Sequence, residues 1–304
     1  MKLWQPGELL KHEFPNQLWL AEPLMGLECI SMVHGPPGSG KTQYLMTLAH
    51  AVMKGGVFLE SYPCVKGPVV MVELDMIPRL VQERLKHTSK LFEGLPFYQI
   101  MGDEFMNVFD WYAAGDKSSI VRQLRDLKPA AIMIDTYKRS FKIPARRDFS
   151  EAENEASLVY QAWRAVCPGA AVIFTHHDKK KPTGPFGGDP NERYSGHVTV
   201  VGSADTGLRI QRERKYAHRH VAKVSQSKAR LSEEHPAMLV EMDPETLLMK
   251  PVEPTSRELA YEFAERNPNC TATDVWHYLE GVNACGRSRA YQIATEILEK
   301  RAPK

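Results

Sequence analysis

Apolar runs alternate with segments of helical period through the first two-thirds of the chain. The runs at 29–34, 69–75, 130–135 and 170–175 are rich in Val, Ile, Met and Ala, as strands buried on both faces require, and 97–101 is a shorter one. Between them, Leu45, Leu48, Ala49 and Val52 repeat at helical spacing over 42–53, and Pro78 suits the first turn of a helix running to about residue 92. Ser118 or Ser119 caps a helix to about 127, where Pro129 bars continuation, and a further helix spans about 150–166. Strands alternating with helices predict an α/β fold with a mostly parallel sheet and helices on both faces.

The pattern changes after a glycine- and proline-containing loop at 179–198. Shorter segments at 206–212, 220–225 and 238–242 read as antiparallel strands, and 251–254 reads as a linker. Helices are expected at about 256–265, 271–279 and 287–301, with a tight turn over 281–286, so the C-terminal unit is a helix-turn-helix or winged-helix one. Residues 1–26 carry Trp4, Phe14, Leu18, Trp19 and Leu20 without a clean period and read as a lead-in that packs on the first strand. The expected organisation is therefore a lead-in over 1–26, a core over 27–250 and a helical unit over 255–304.

Composition narrows the class little. A formal net charge of +2 over 304 residues does not mark a nucleic-acid binder, so any such surface must come from local clusters. No apolar run is long enough to cross a bilayer, and the N-terminus lacks the layout of a signal peptide. The five cysteines are scattered without a C-x-x-C pair, which argues against a zinc site or disulfide framework and suits a cytoplasmic protein.

Gly35, Pro36, Pro37, Gly38, Ser39, Gly40, Lys41 and Thr42 change the picture. They fit G-x-x-x-x-G-K-[ST], the phosphate-binding loop of P-loop NTPases, between a predicted strand and a predicted helix. Backbone N–H groups and the positive end of the helix dipole would cradle the phosphates of ATP from Gly35 through Gln43. Lys41 would reach the β- and γ-phosphates, and the Thr42 hydroxyl would hold Mg²⁺. Asp135 ends an apolar strand, where the Walker-B carboxylate that holds the metal through water belongs. Thr136 follows it instead of the Glu that many P-loop ATPases use on the attacking water, so a base must come from another strand. The 69–75 run ends in Glu73-Leu74-Asp75, and its carboxyl end opens into the same crevice.

The segment Val70-Met71-Val72-Glu73-Leu74-Asp75-Met76, with Arg84 further on, is similar to the segment of DnaB- and RepA-type hexameric helicases that bears the catalytic Glu. Spacing to Arg84 favours Asp75, chemistry favours Glu73, and residues two apart on a strand share a face. Thr175-His176-His177-Asp178-Lys179-Lys180 resembles the strand-end His pair of RepA-type ATPases, in which a polar residue such as His177 senses the γ-phosphate. Arg193-Tyr194-Ser195-Gly196 and Gly202-Ser203-Ala204-Asp205 resemble a further stretch of DnaB-type helicases. Ser227-Lys228-Ala229-Arg230 looks like the K-x-R pair those enzymes insert into the neighbouring subunit's ATP site. The resemblance covers about 19–243 and implies a RecA-like core, ATP and Mg²⁺ as ligands, a hexameric homo-oligomer, and a minimal plasmid- or phage-type replicative helicase acting on single-stranded DNA.

DNA-contact candidates are Lys138 and Arg139 after the Asp135 strand, and Lys179, Lys180, Lys181 and Arg193 in the following long loop. In RecA-like helicases the corresponding loops line the central pore. Arg287 and Arg289 start the last helix, where a recognition helix would present side chains to a groove. Two other readings fit the same residues. One is a RecA-like recombination or helicase-loading ATPase, although Asp135-Thr136 speaks against loaders of the AAA+ class. The other is a DNA-binding regulator gated by ATP.

Overall fold

The computed structural model describes residues 5–13, 19–101, 107–140, 149–178, 198–213, 219–282 and 284–299. The lead-in contributes α1 (Pro6–Lys11), β1 (Trp19–Ala21) and β2 (Met25–Gly26), and the core begins with β3 (Ile30–Gly35) and α2 (Lys41–Lys54). A small hairpin of β4 (Val57–Phe58) and β5 (Tyr62–Pro63) follows, then β6 (Val69–Glu73), α3 (Pro78–Phe92), β7 (Phe97–Met101), α4 (Val108–Ala114) and α5 (Ser119–Leu127). Next are β8 (Ala131–Asp135), α6 (Phe149–Val166), β9 (Ala171–His177), α7 (Val198–Gly202), β10 (Thr206–Arg212), β11 (Val221–Ala229), β12 (Met238–Met242) and β13 (Met249–Pro251). The chain closes with α8 (Ser256–Arg266), α9 (Ala272–Gly281) and α10 (Arg287–Glu299).

Nine strands form one sheet in the order β13-β12-β11-β10-β3-β9-β8-β6-β7. The six from β10 to β7 are parallel, and β11, β12 and β13 add antiparallel strands at one edge. Because side chains alternate along a strand, β3, β6, β8 and β9 each feed two cores. Val33, Val69, Met71, Ala131, Met133, Ala171 and Ile173 face the α2 side. Ile30, Met32, Val70, Val72, Ile132, Ile134, Val172 and Phe174 face α4, α5 and α6, where Trp163 is fully buried. This is the mostly parallel, doubly covered α/β sheet expected of a RecA-like core. The C-terminal helices bury a separate cluster that includes Ala260, Ala264, Val275, Leu279, Ile293 and Ile297. Capping boxes start α8 (Thr255 with Glu258) and α9 (Thr271 with Asp274). No strand lies among the described residues beyond β13, so the unit has three helices and no wing there.

The structure corrects several expected boundaries. The run at 69–75 is strand only to Glu73, because the Asp75 N–H donates to Glu73 Oε1 at 3.2 Å and a local side-chain bond replaces the ladder. The stretch 55–68, expected as bare connection, holds β4 and β5, each two residues long and too short to show a period. The helix α4 and the edge strand β13 were not expected at all, and their few residues carry no repeat. The strand β11 runs four residues past the expected end at 225, because Gln226, Lys228 and Ala229 keep pairing with β10 after the apolar signal stops.

Candidate nucleotide-binding site

The strand β3 ends at Gly35 and α2 begins at Lys41, so the glycine-rich loop spans the gap at the carboxyl end of the parallel strands. Gly40, the N-cap residue, has φ of 96°, a conformation glycine adopts without strain. No side chain caps α2, which leaves its first N–H groups turned toward the loop as donors for an anion. Gly35 has no room for a side chain: a Cβ there would lie 2.1 Å from the Ile210 carbonyl oxygen. Lys41 is buried and its ammonium donates to the Gly35 and Pro36 carbonyls, at 2.9 Å each. Burial holds that ammonium below its ordinary pKa against the pull of Asp135, Asp178 and Asp75.

Strand alternation and register bring the acidic residues to this loop. Glu73 and Asp135 are paired across β6 and β8, and both share the α2 face with Met71 and Met133. The Thr42 hydroxyl donates to Asp135 Oδ2 at 2.6 Å, and Thr175 donates to Asp135 Oδ1. Thr136 turns back and donates to the Thr175 carbonyl at 2.8 Å, locking β8 to β9.

Glu73 is buried, 1 % exposed, and its Oε2 lies 3.3 Å from Arg84 Nη1. Burial, reinforced by the negative charge of Asp135, pushes its carboxyl up to about 7 despite Arg84. Asp75 lies past the strand end, half exposed, with Oδ1 3.1 Å from Arg139 Nε. Arg84 thus meets Glu73, while Asp75, two residues on, lies past the strand end beside Arg139. His177 pairs in register with Gly35. Burial, then the charge of Lys41, holds its imidazole below its ordinary range.

The residues fit a nucleoside triphosphate with Mg²⁺. Besides the uncapped helix start, the buried Ser39 hydroxyl has no partner among the described residues, as expected of a group kept for a phosphate oxygen. Thr42 and Asp135 are hard oxygen donors side by side, the chemistry Mg²⁺ selects. Thr175 is the site residue that pattern reading passed over; its signal is a hydroxyl ending an otherwise apolar run.

The other expected positions lie elsewhere. Lys228 donates to the Gly202 carbonyl, and Arg230 Nη1 lies 3.4 Å from Asp205 Oδ1. Arg230 N–H also donates to Asp205 O, and Asp205 N–H to Ile30 O, so Arg230 stands level with the start of β3 while the glycine-rich loop follows its end. Lys138 and Arg139 are exposed on the turn after β8, with Arg139 committed to Asp75 and to the Leu74 carbonyl at 3.3 Å. Arg287 lies over the Trp276 ring at 4.9 Å, and Arg289 is exposed in the first turn of α10. Lys179, Lys180, Lys181 and Arg193 fall outside the described residues. No described helix is long and apolar enough to cross a membrane.

A family model described as AAA domain matches residues 2–183, a span that includes the glycine-rich loop, Glu73, Asp135 and His177 and ends before β10 and β11. No curated protein matches the chain.

Proposed function

Since the chain belongs to the AAA domain family of P-loop ATPases, we propose that it is an ATP-hydrolysing motor of the DnaB/RepA helicase type, working on single-stranded DNA as a homo-oligomeric ring. The observation that carries this reading is the separation of the basic arm from the chain's own phosphate loop. Arg230 is level with Ile30, five residues before Gly35. At about 3.3 Å per residue that is roughly 16 Å along the sheet, with β10 between them. An extended Arg side chain does not cover that distance, so a second copy is the natural recipient of Lys228 and Arg230.

In this mechanism the loop N–H groups and Lys41 bind the β- and γ-phosphates, and Ser39 adds a hydroxyl donor. Thr42 and Asp135 would hold Mg²⁺, which would supply charge neutralisation of the phosphates. Glu73 takes the proton of the attacking water. A carboxyl titrating near 7 suits that task, because it is substantially ionised at working pH yet basic enough to accept a proton. Arg84 orients Glu73, and His177 meets the γ-phosphate from the end of β9. Arg230 of a neighbour stabilises the charge that develops on transfer, which makes turnover depend on assembly. Arg139 and Lys138 offer phosphate contacts to the strand, and Arg139 is bound to Asp75, two residues from the base.

The test is steady-state ATPase activity across protein concentrations, with and without single-stranded DNA, followed by unwinding of a forked duplex. The reading requires a specific rate that rises steeply with concentration and again with DNA. A rate indifferent to both would refute the ring motor. Stimulation by DNA without unwinding would leave a recombination-type or loading ATPase in its place.

A further inference from the structure

Four polar side chains form a continuous chain on the face of the sheet opposite α2. His34, 1 % exposed, is the last residue before the glycine-rich loop opens at Gly35. Its Nδ1 lies 2.9 Å from Asp178 Oδ1, and its Nε2 lies 3.0 Å from Ser227 Oγ. The other Asp178 oxygen accepts from Arg209 Nε at 3.2 Å. The Asp178 N–H donates to the Gly35 carbonyl at 3.1 Å, the same oxygen that accepts from Lys41.

The directions of these bonds follow from the groups. A carboxylate only accepts, so His34 carries its proton on Nδ1, and its bare Nε2 accepts from the Ser227 hydroxyl. Burial keeps the His34 imidazole below its ordinary pKa in spite of Asp178. Burial pushes the Asp178 carboxyl up, but His34 and Arg209 together outweigh it and hold it below the usual range. The result is a neutral imidazole between a hydroxyl and an ionised carboxylate.

Ser227 is the extra residue of a β-bulge: Gly207 pairs with Lys228 and Leu208 with Gln226, which leaves Ser227 unpaired in the ladder. The bulge turns its hydroxyl toward His34, one residue before Lys228 and three before Arg230. We propose that Ser227, His34, Asp178 and Arg209 form a positioning relay that fixes the Lys228–Arg230 arm relative to the mouth of the phosphate loop, and so couples a chain's own nucleotide site to the arm it offers its neighbour. The proposal rests on the reading of Lys228 and Arg230 as an arm acting in trans. Ser227, His34 and Asp178 also have the order of a hydrolase triad. The Ser227 hydroxyl, however, packs against Gly207, whose Cβ position would lie 2.7 Å from it, leaving no approach for a substrate on that side.

The experiment compares the full-length wild type with Ser227→Ala, Ser227→Thr and Arg230→Ala, using equilibrium binding of a fluorescent ATP analogue, steady-state ATPase kinetics and melting temperature. The relay requires Ser227→Ala to bind nucleotide within about twofold of wild type while kcat falls about fivefold, the worth of one hydrogen bond, and Ser227→Thr to recover it. Wild-type kcat in Ser227→Ala alongside an inactive Arg230→Ala overturns the relay and spares the arm. Wild-type kcat in Arg230→Ala removes the arm, and the relay with it. Parallel loss of affinity, kcat and melting temperature in both Ser227 variants reduces the cluster to ordinary packing. Labelling of wild type but not of Ser227→Ala by a fluorophosphonate overturns the relay in favour of a nucleophile.

Discussion

Replacing Glu73 by Gln separates catalysis from stability, because the two respond in opposite directions. The carboxyl is raised from 4.5 to about 7 in the folded chain, chiefly by burial. At about 1.4 kcal/mol per pH unit, ionised Glu73 therefore disfavours the folded state by up to about 3 kcal/mol. The sign follows from proton binding. Between pH 4.5 and 7 the folded chain holds the proton that the unfolded chain has released, so stability falls as pH rises through this window. The loss is complete above 7 and absent below 4.5. Glu73→Gln keeps the shape and removes the charge. At pH 8 in EDTA its melting temperature should exceed that of wild type by roughly 5–10 °C, and at pH 4.5 the two should nearly coincide. Taking the difference between the two proteins cancels the titration of the buried histidines. Turnover should fall at least about a hundredfold, the usual contribution of a general base, while nucleotide still binds. Wild-type kcat/KM should decline as pH drops below about 7. A pH-independent difference in melting temperature would refute the buried-charge account. Near-normal turnover in Glu73→Gln with an inactive Asp75→Asn would move the base to Asp75.

The other outcomes are briefer. Lys41→Ala removes the buried ammonium of the glycine-rich loop and should lower turnover at least about a hundredfold in a steady-state ATPase assay; an unchanged rate would refute the site. Arg230→Ala should lose turnover alone and regain part of it when mixed with Lys41→Ala, which contributes an intact arm; no recovery on mixing would count against action in trans. Gly35→Ala should destabilise the fold by about 3 kcal/mol in urea denaturation, because its Cβ meets the Ile210 backbone oxygen, which cannot rotate away.

Long periodic segments were legible, and local ones were not. The strands β3, β6, β8 and β9 announced themselves because burial on both faces favours runs of apolar residues up to the strand ends, and α2 and α3 because they are long enough to repeat. The glycine-rich loop could be read because its chemistry is confined to eight consecutive residues. Counting could not show that the chain leaves the strand between Glu73 and Asp75, since two residues of strand look the same as two residues of turn until the Asp75 N–H is seen bonding Glu73. Thr175 and the partners of His34 were hidden for another reason. Asp178 and Ser227 lie 144 and 193 residues from His34, and only the strand order β11-β10-β3-β9 brings them together.

That strand order also explains why one chain assembles only part of the proposed machine. Parallel strands deliver their carboxyl ends to one side, so Gly35, Glu73, Asp135 and His177 converge there by topology. The strand β11 is antiparallel to β10, so its end is carried back to the opposite side of the sheet. A basic residue placed after β11 is thereby directed away from the phosphates of its own chain, whatever its side-chain conformation. The hydrogen bonds at the two ends fit this division. Lys41 donates to loop carbonyls at the nucleotide mouth, while Arg230 and Arg164 share Asp205 at the far end. Binding needs only the first end. Hydrolysis, if Arg230 assists it, needs the first end of one copy and the second end of another, and the proposed His34 relay would link the two within a chain.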